Sequence, residues 1–202
     1  MAAVLWAGAA AAVLFVAVFS IDGWTRPGYR PLRHPVSALA LGPRGRVQAA
    51  NFLCCGLLVT GAAAGVLGVG GGPLLAAAIA VFGLALAVSG VFPMDPMRGY
   101  PPGAPEGTPP RFSMRHQVHD AAGAAVFLAL PAAAFAAAVV LPGAVVSWYS
   151  ALTGAAVLAL LLLFSRAWEL DRPLTGLIQR AMIVVGWTWL ALMLALFAVR
   201  AD

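Results

Sequence analysis

Six runs of mostly apolar residues divide the chain, near positions 2–21, 49–69, 73–92, 118–141, 145–165 and 179–199, each closed by a polar or glycine-proline stretch. A helix needs about 20 consecutive apolar residues to cross the hydrocarbon core of a bilayer, so each run predicts a transmembrane helix. The connections alternate in kind. Tight turns, Gly70-Gly71-Gly72-Pro73 and Leu141-Pro142-Gly143, follow the second and fourth runs, whereas longer polar loops follow the first, third and fifth. The pattern predicts an all-α integral membrane protein with one domain over residues 1–202, a six-transmembrane-helix bundle arranged as three helical hairpins. Its polar chemistry then gathers on one side. The first run, Ala2 to Ile21, has no positive residues before it and is long for the core of a signal peptide, so it reads as a retained span.

Composition agrees and excludes much else. Charged residues make up 9% of the chain, against about 25% in a soluble domain, too few to cover a surface that faces water on every side. A soluble enzyme, a nucleic-acid-binding domain and a disordered regulator are excluded; the expected partner is the lipid bilayer. All 12 basic residues are Arg. Arg26, Arg30, Arg33, Arg44 and Arg46 lie in the first long loop, Arg98, Arg111 and Arg115 in the second, and Arg166, Arg172 and Arg180 in or beside the third. Only Arg200 lies at the other side. Positive loops stay in the cytoplasm, which predicts a multi-pass protein of the cell membrane with its long loops cytoplasmic and both termini outside.

Within the spans the residues mostly read as packing. Cys54 and Cys55 are adjacent in an apolar run, a spacing that fits neither a disulfide framework nor a zinc site. Gly61-x-x-x-Gly65 has the small-residue spacing of close helix contacts, which leaves open both a homo-oligomer and ordinary packing within the chain. Pro131 removes one backbone bond from the fourth span and predicts a kink. Trp24 and Trp168 fall at one interface and Trp148 with Tyr149 at the other, whereas Trp187 and Trp189 sit mid-span, where they must pack or line a cavity. Asn51 carries an amide that needs a partner. No charged residue falls near a midplane, which argues against a proton pump, a voltage sensor or an ion-coupled transporter.

Candidate chemistry lies in and beside the loops. Seven of the 15 prolines fall between Pro93 and Pro110, a stiff segment that reads as a cap or as a plain connector. Arg115-His-Gln-Val-His-Asp120 follows it. On a helix His116, His119 and Asp120 share one face. Two imidazoles and a carboxylate make half of a divalent-metal site, but the spacing is no recognised zinc signature, and neither a metal nor another cofactor is expected. The same residues suit acid–base work, His116 or His119 exchanging protons near neutral pH with Asp95 or Asp120 as orienting partner. No hydrolase elbow, zinc-protease helix or phosphate-cradling loop accompanies them. A third reading is a guanidinium clamp on an anion, set against internal pairing with Asp22, Asp95, Glu106, Glu169 and Asp171.

Four short motifs occur in order: His34-Pro-Val-Ser37 after the first span, Phe92-Pro-Met-Asp95 after the third, a His at the head of the fourth (His116 or His119), and Gly176-Leu-Ile-Gln-Arg180 opening the sixth. Together they resemble the uncharacterised bacterial and archaeal membrane family catalogued as domain of unknown function 998. The resemblance covers nearly the whole chain and implies a multi-pass membrane protein without an assigned reaction. Its motif positions fall on the side that already holds the loops.

The expected site therefore draws on His34, Ser37, Asp95, His116, His119, Asp120 and Arg180. The favoured function is binding of an anionic amphipathic molecule, a lipid or an isoprenoid phosphate. The competing class is a membrane-embedded enzyme with His119, Asp95 and His116 as catalytic groups; the third is a structural or partner-binding subunit.

Overall fold

The computed structural model describes residues 1–201 and contains six long helices: α1 (Ala2–Thr25), α2 (Gly45–Gly68), α3 (Pro73–Val91), α4 (Met114–Val140), α5 (Ala144–Glu169) and α6 (Thr175–Ala201). All six are long and apolar enough to cross a membrane, and no strand occurs among the described residues. Each helix packs on the next in the chain, and α6 closes the ring on α1. Every neighbouring pair is in contact, so the packing does not set three hairpins apart. The start of α1, the end of α6 and the two tight turns share one face; the three long connections share the other.

Several helices run past their apolar runs where polar contacts, rather than lipid, finish them. α1 continues to Thr25 because Asp22 in its last turn is held by Arg26 and Arg44. α6 starts at Thr175, whose hydroxyl donates to the Ala167 and Arg172 carbonyls and ties α6 to the end of α5. α4 passes through Pro131 without a break.

Aromatic side chains fill the middle of the ring. Trp187 stacks on Phe15 at 5.3 Å and meets Phe82 edge-on at 4.8 Å. Trp189 is buried and donates its indole N–H to Ser150 Oγ at 3.0 Å. The Asn51 amide finds its partner in α1, donating to the Phe15 carbonyl at 3.1 Å. Cys55 is buried, as packing requires, whereas Cys54 is exposed on the outside of the bundle.

Glycine sets the closest approach. A Cβ on Gly56 would stand 2.5 Å from the Ala87 nitrogen, and one on Gly83 would stand 2.7 Å from the Gly56 carbonyl. The α2–α3 pair therefore depends on bare backbone at both positions. In Gly61-x-x-x-Gly65, Gly65 receives Leu5 of α1, while Gly61 faces outward with nothing within 4 Å.

One helix departs from the ring. Between Val157 and Ala167 no residue of α5 is buried. The loop-side half of α5 leaves a cleft beside α4, crossed by the Phe127–Phe164 pair with ring centroids 6.2 Å apart, and Thr175 ties the end of α5 to α6.

Candidate functional site

The loop face is knitted together by the motif residues. Gly176 lets the first turn of α6 touch the first loop: a Cβ there would lie 2.5 Å from the His34 and Pro31 carbonyls. Leu177 N–H then donates to the Leu32 carbonyl. Arg180, one turn on, is buried and spends its guanidinium on this joint. Its Nη1 donates to the carbonyls of Pro31, His34 and Gly176, and its Nη2 to Tyr29 Oη. Burial pushes the Tyr29 hydroxyl up to about 12, outweighing the opposing pull of Arg180. Arg26 plays the same part for the second half of the loop, donating to the Leu39, Leu41 and Arg44 carbonyls and to Tyr100 Oη.

His34 belongs to this cap. Its Nδ1 accepts from Arg30 N–H at 3.0 Å. Burial, reinforced by the charge of Arg33, lowers its pKa to about 4, so the ring is neutral near pH 7. Nearby, Asp171 bridges Arg33 at 3.0 Å and Arg98 at 3.5 Å, and the Arg98 guanidinium lies 3.7 Å from the centre of the Trp168 ring. These contacts join all three long connections to the end of α5.

Asp95 caps α4. Its carboxylate accepts from Ser113 N–H at 2.7 Å and from Ser113 Oγ at 2.6 Å, and Ser113 in turn accepts from His116 N–H as the N-cap. Desolvation raises the Asp95 pKa, but the two Ser113 bonds and nearby His116 outweigh it, and the carboxyl titrates below its ordinary value. It is the Asp95 backbone N–H, not its carboxylate, that reaches His116, donating to Nδ1 at 2.9 Å. That bond places the neutral ring's proton on Nε2, 3.0 Å from Asp120 Oδ2. Phe112 stacks on the ring at 4.1 Å. Asp95, His116 and Asp120 thus form one chain of contacts that fixes the start of α4.

His119 faces elsewhere. Its Nδ1 lies 2.7 Å from the Phe92 carbonyl; a carbonyl only accepts, so Nδ1 carries the proton and Nε2 the lone pair. The ring lines two connected spaces. One is a cavity of about 50 Å³ inside the ring of helices, walled by Phe15, Phe52, Leu86 and Trp187 among others. The other is a cleft of about 420 Å³ between α4 and α5, where α5 stands away, with Phe127, Leu128, Leu161, Leu162 and Phe164 as its apolar walls. Ser37, His119, Gly123, Phe127 and Gln179 line both. Asp120 and Trp168 line the cleft, and no Arg lines either space.

The expected residues therefore separate into three groups. Ser37, His119 and Asp120 come together in the cleft; Asp95 and His116 build the head of α4; His34 and Arg180 are held in the cap. Among the described residues no three His, Cys, Asp or Glu side chains are grouped as metal ligands. The anion clamp expected of Arg180 has a physical obstacle, since four internal acceptors already engage its guanidinium. Two residues of the cleft escaped the sequence reading. Gln179 sits inside the fourth motif but carries no charge, and Gly123 is one small residue among many. The signal for both was position: Gly123 lies one turn beyond His119 on the same face of α4, and Gln179 adjoins Arg180 within the fourth motif.

The chain matches the family described as "Protein of unknown function (DUF998)" over residues 9–196. It belongs to that family. No curated protein and no solved structure matches it.

Proposed function

We propose that this protein binds an amphipathic, lipid-like molecule in the cleft between α4 and α5. The observation that carries the reading is the separation of these helices beside His119. A space of about 420 Å³ with mostly apolar walls opens at the side of a membrane-spanning bundle and ends on polar side chains. Such a site takes hydrocarbon laterally from the bilayer and meets the head with hydrogen-bonding groups. The open side includes exposed Leu128 and Leu162, which lipid rather than water covers. The arginine distribution favours the cytoplasmic leaflet for this end.

The acid–base alternative gains less support. The Asp95 carboxylate is engaged by Ser113 and His116 by Asp95 and Asp120. Of the two imidazoles only His119 lines the cleft.

Gly123 provides the test. It lies on the shared wall of cavity and cleft, and a Cβ there meets nothing within 4 Å. Gly123→Trp fills the space without a backbone clash. Protein purified in mild detergent is expected to carry lipid detectable by native mass spectrometry, and the variant to lose it while keeping its monodisperse profile. Equal lipid on both proteins, or none on the parent, would reject the reading.

A further inference from the structure

We infer that the head group received in this cleft is an uncharged hydroxyl, held between His119 Nε2 and the side-chain amide nitrogen of Gln179. The inference rests on the cleft reading and adds the chemical class of the ligand.

The two groups are fixed in opposite senses. The Phe92 carbonyl dictates that His119 presents a lone pair at Nε2. On the other side, Val36 N–H donates to Gln179 Oε1 at 2.7 Å. That bond settles the orientation of the amide, since the backbone N–H requires an oxygen, and it leaves the NH2 end as a donor. His119 is 7% exposed and Gln179 5% exposed, and both line the junction of cavity and cleft. Neither remaining nitrogen is among the buried side-chain atoms sealed away without a partner, which are Gln48 Nε2 and Arg98 Nε among the described residues, and both side chains line the shared space. One acceptor and one donor at a common junction match a hydroxyl, which gives one hydrogen and takes another. Ser37, whose hydroxyl has only a weak sulfur partner in Met94 at 3.4 Å, supplies a third adaptable contact.

Charge excludes the alternative head. A phosphate accepts but, when fully ionised, has no hydrogen for His119. It would also enter a space whose linings contain no guanidinium and whose one charged side chain is the Asp120 carboxylate. An anion placed there without a counter-charge loses its hydration and gains repulsion.

The test compares heads on identical chains. Full-length protein in detergent is titrated with dioleoylglycerol against dioleoyl phosphatidic acid, and with geranylgeraniol against geranylgeranyl phosphate, and occupancy is read by native mass spectrometry. The alcohols are expected to bind at least about tenfold more tightly, a 1.4 kcal/mol difference. Whichever alcohol binds better identifies the chain that the cleft prefers. Gln179→Met keeps the side chain's bulk but removes the donor together with the oxygen that meets Val36 N–H, and is expected to lower the melting temperature and to abolish alcohol binding by the folded protein. If a phosphate binds as well as its alcohol, or if folded Gln179→Met binds alcohol normally, the hydroxyl inference fails and the cleft reading stands. If no lipid of either pair binds, the cleft reading fails and takes the inference with it.

Discussion

Arg180 carries a charge into a membrane-spanning bundle and meets no carboxylate among the described residues. It is stabilised instead by three carbonyls and a tyrosine hydroxyl, dipoles that the first loop and α6 aim at one point. Removing the guanidinium leaves several buried acceptors empty, each costly when unmet. Arg180→Met is expected to lower stability by about 3 kcal/mol, seen as a lower melting temperature, with the lipid bound per folded molecule unchanged. A loss of lipid at full stability would return Arg180 to the role of anion clamp. His34, in the same cap, gives a pH dependence. Its folded pKa of about 4 lies below the ordinary value of 6.5, so between these values the unfolded chain binds more protons than the folded one. Its contribution is fully present above about pH 6.5 and is lost as pH falls toward 4. Thermal melts across that window are expected to show declining stability, with a shallower decline in His34→Asn. The residue types at this face were legible in the sequence, and their motif order was sound. Their assignments were not, because a sequence reports that Asp95 and His116 are near each other without reporting that a backbone N–H, rather than a carboxylate, makes the contact.

At the scale of elements, all six spans were legible because hydropathy over twenty residues is a physical requirement of the bilayer rather than a preference. Their ends shifted by up to a turn where Asp22 or Thr175 supplied polar closure. The separation of α5 was harder to see. The run Leu158–Phe164 has one residue smaller than Leu, Ala159, and such a stretch offers no small-residue face for a neighbour. The glycines show the same limit. Gly61-x-x-x-Gly65 matches the pattern for close packing, yet the backbones of α2 and α3 meet at Gly56, against Gly83 and Ala87. Gly56→Ala is expected to cost about 1–3 kcal/mol through overpacking, whereas Gly61→Ala, with open space at its Cβ, is expected to change stability by no more than about 0.5 kcal/mol. Denaturation of the two variants in the same detergent distinguishes them, and a large effect at Gly61 would reveal a neighbour on that face, such as a second copy of the chain.

At the scale of the molecule, the membrane face that holds the loops decides which leaflet feeds the cleft. Two of the eleven arginines that set the prediction, Arg26 and Arg180, are buried in internal bonds. Arg33, Arg44 and Arg98 are engaged with carboxylates. Topology, however, is decided while the loops are still unfolded, so all eleven count against Arg200 alone. The folded protein keeps the same bias, with Arg30, Arg46, Arg111, Arg115, Arg166 and Arg172 exposed on the loop face. Two exposed positions on opposite faces, Thr108 in the second long loop and Pro142 in the turn after α4, report the outcome. Cys54→Ala and Cys55→Ala first remove the native thiols. In that background Pro142→Cys is expected to react with a membrane-impermeant maleimide on intact cells, and Thr108→Cys only after permeabilisation. The reverse pattern would leave the bundle and its cleft as they are but turn the mouth toward the outer leaflet, so that any ligand would have to come from that side.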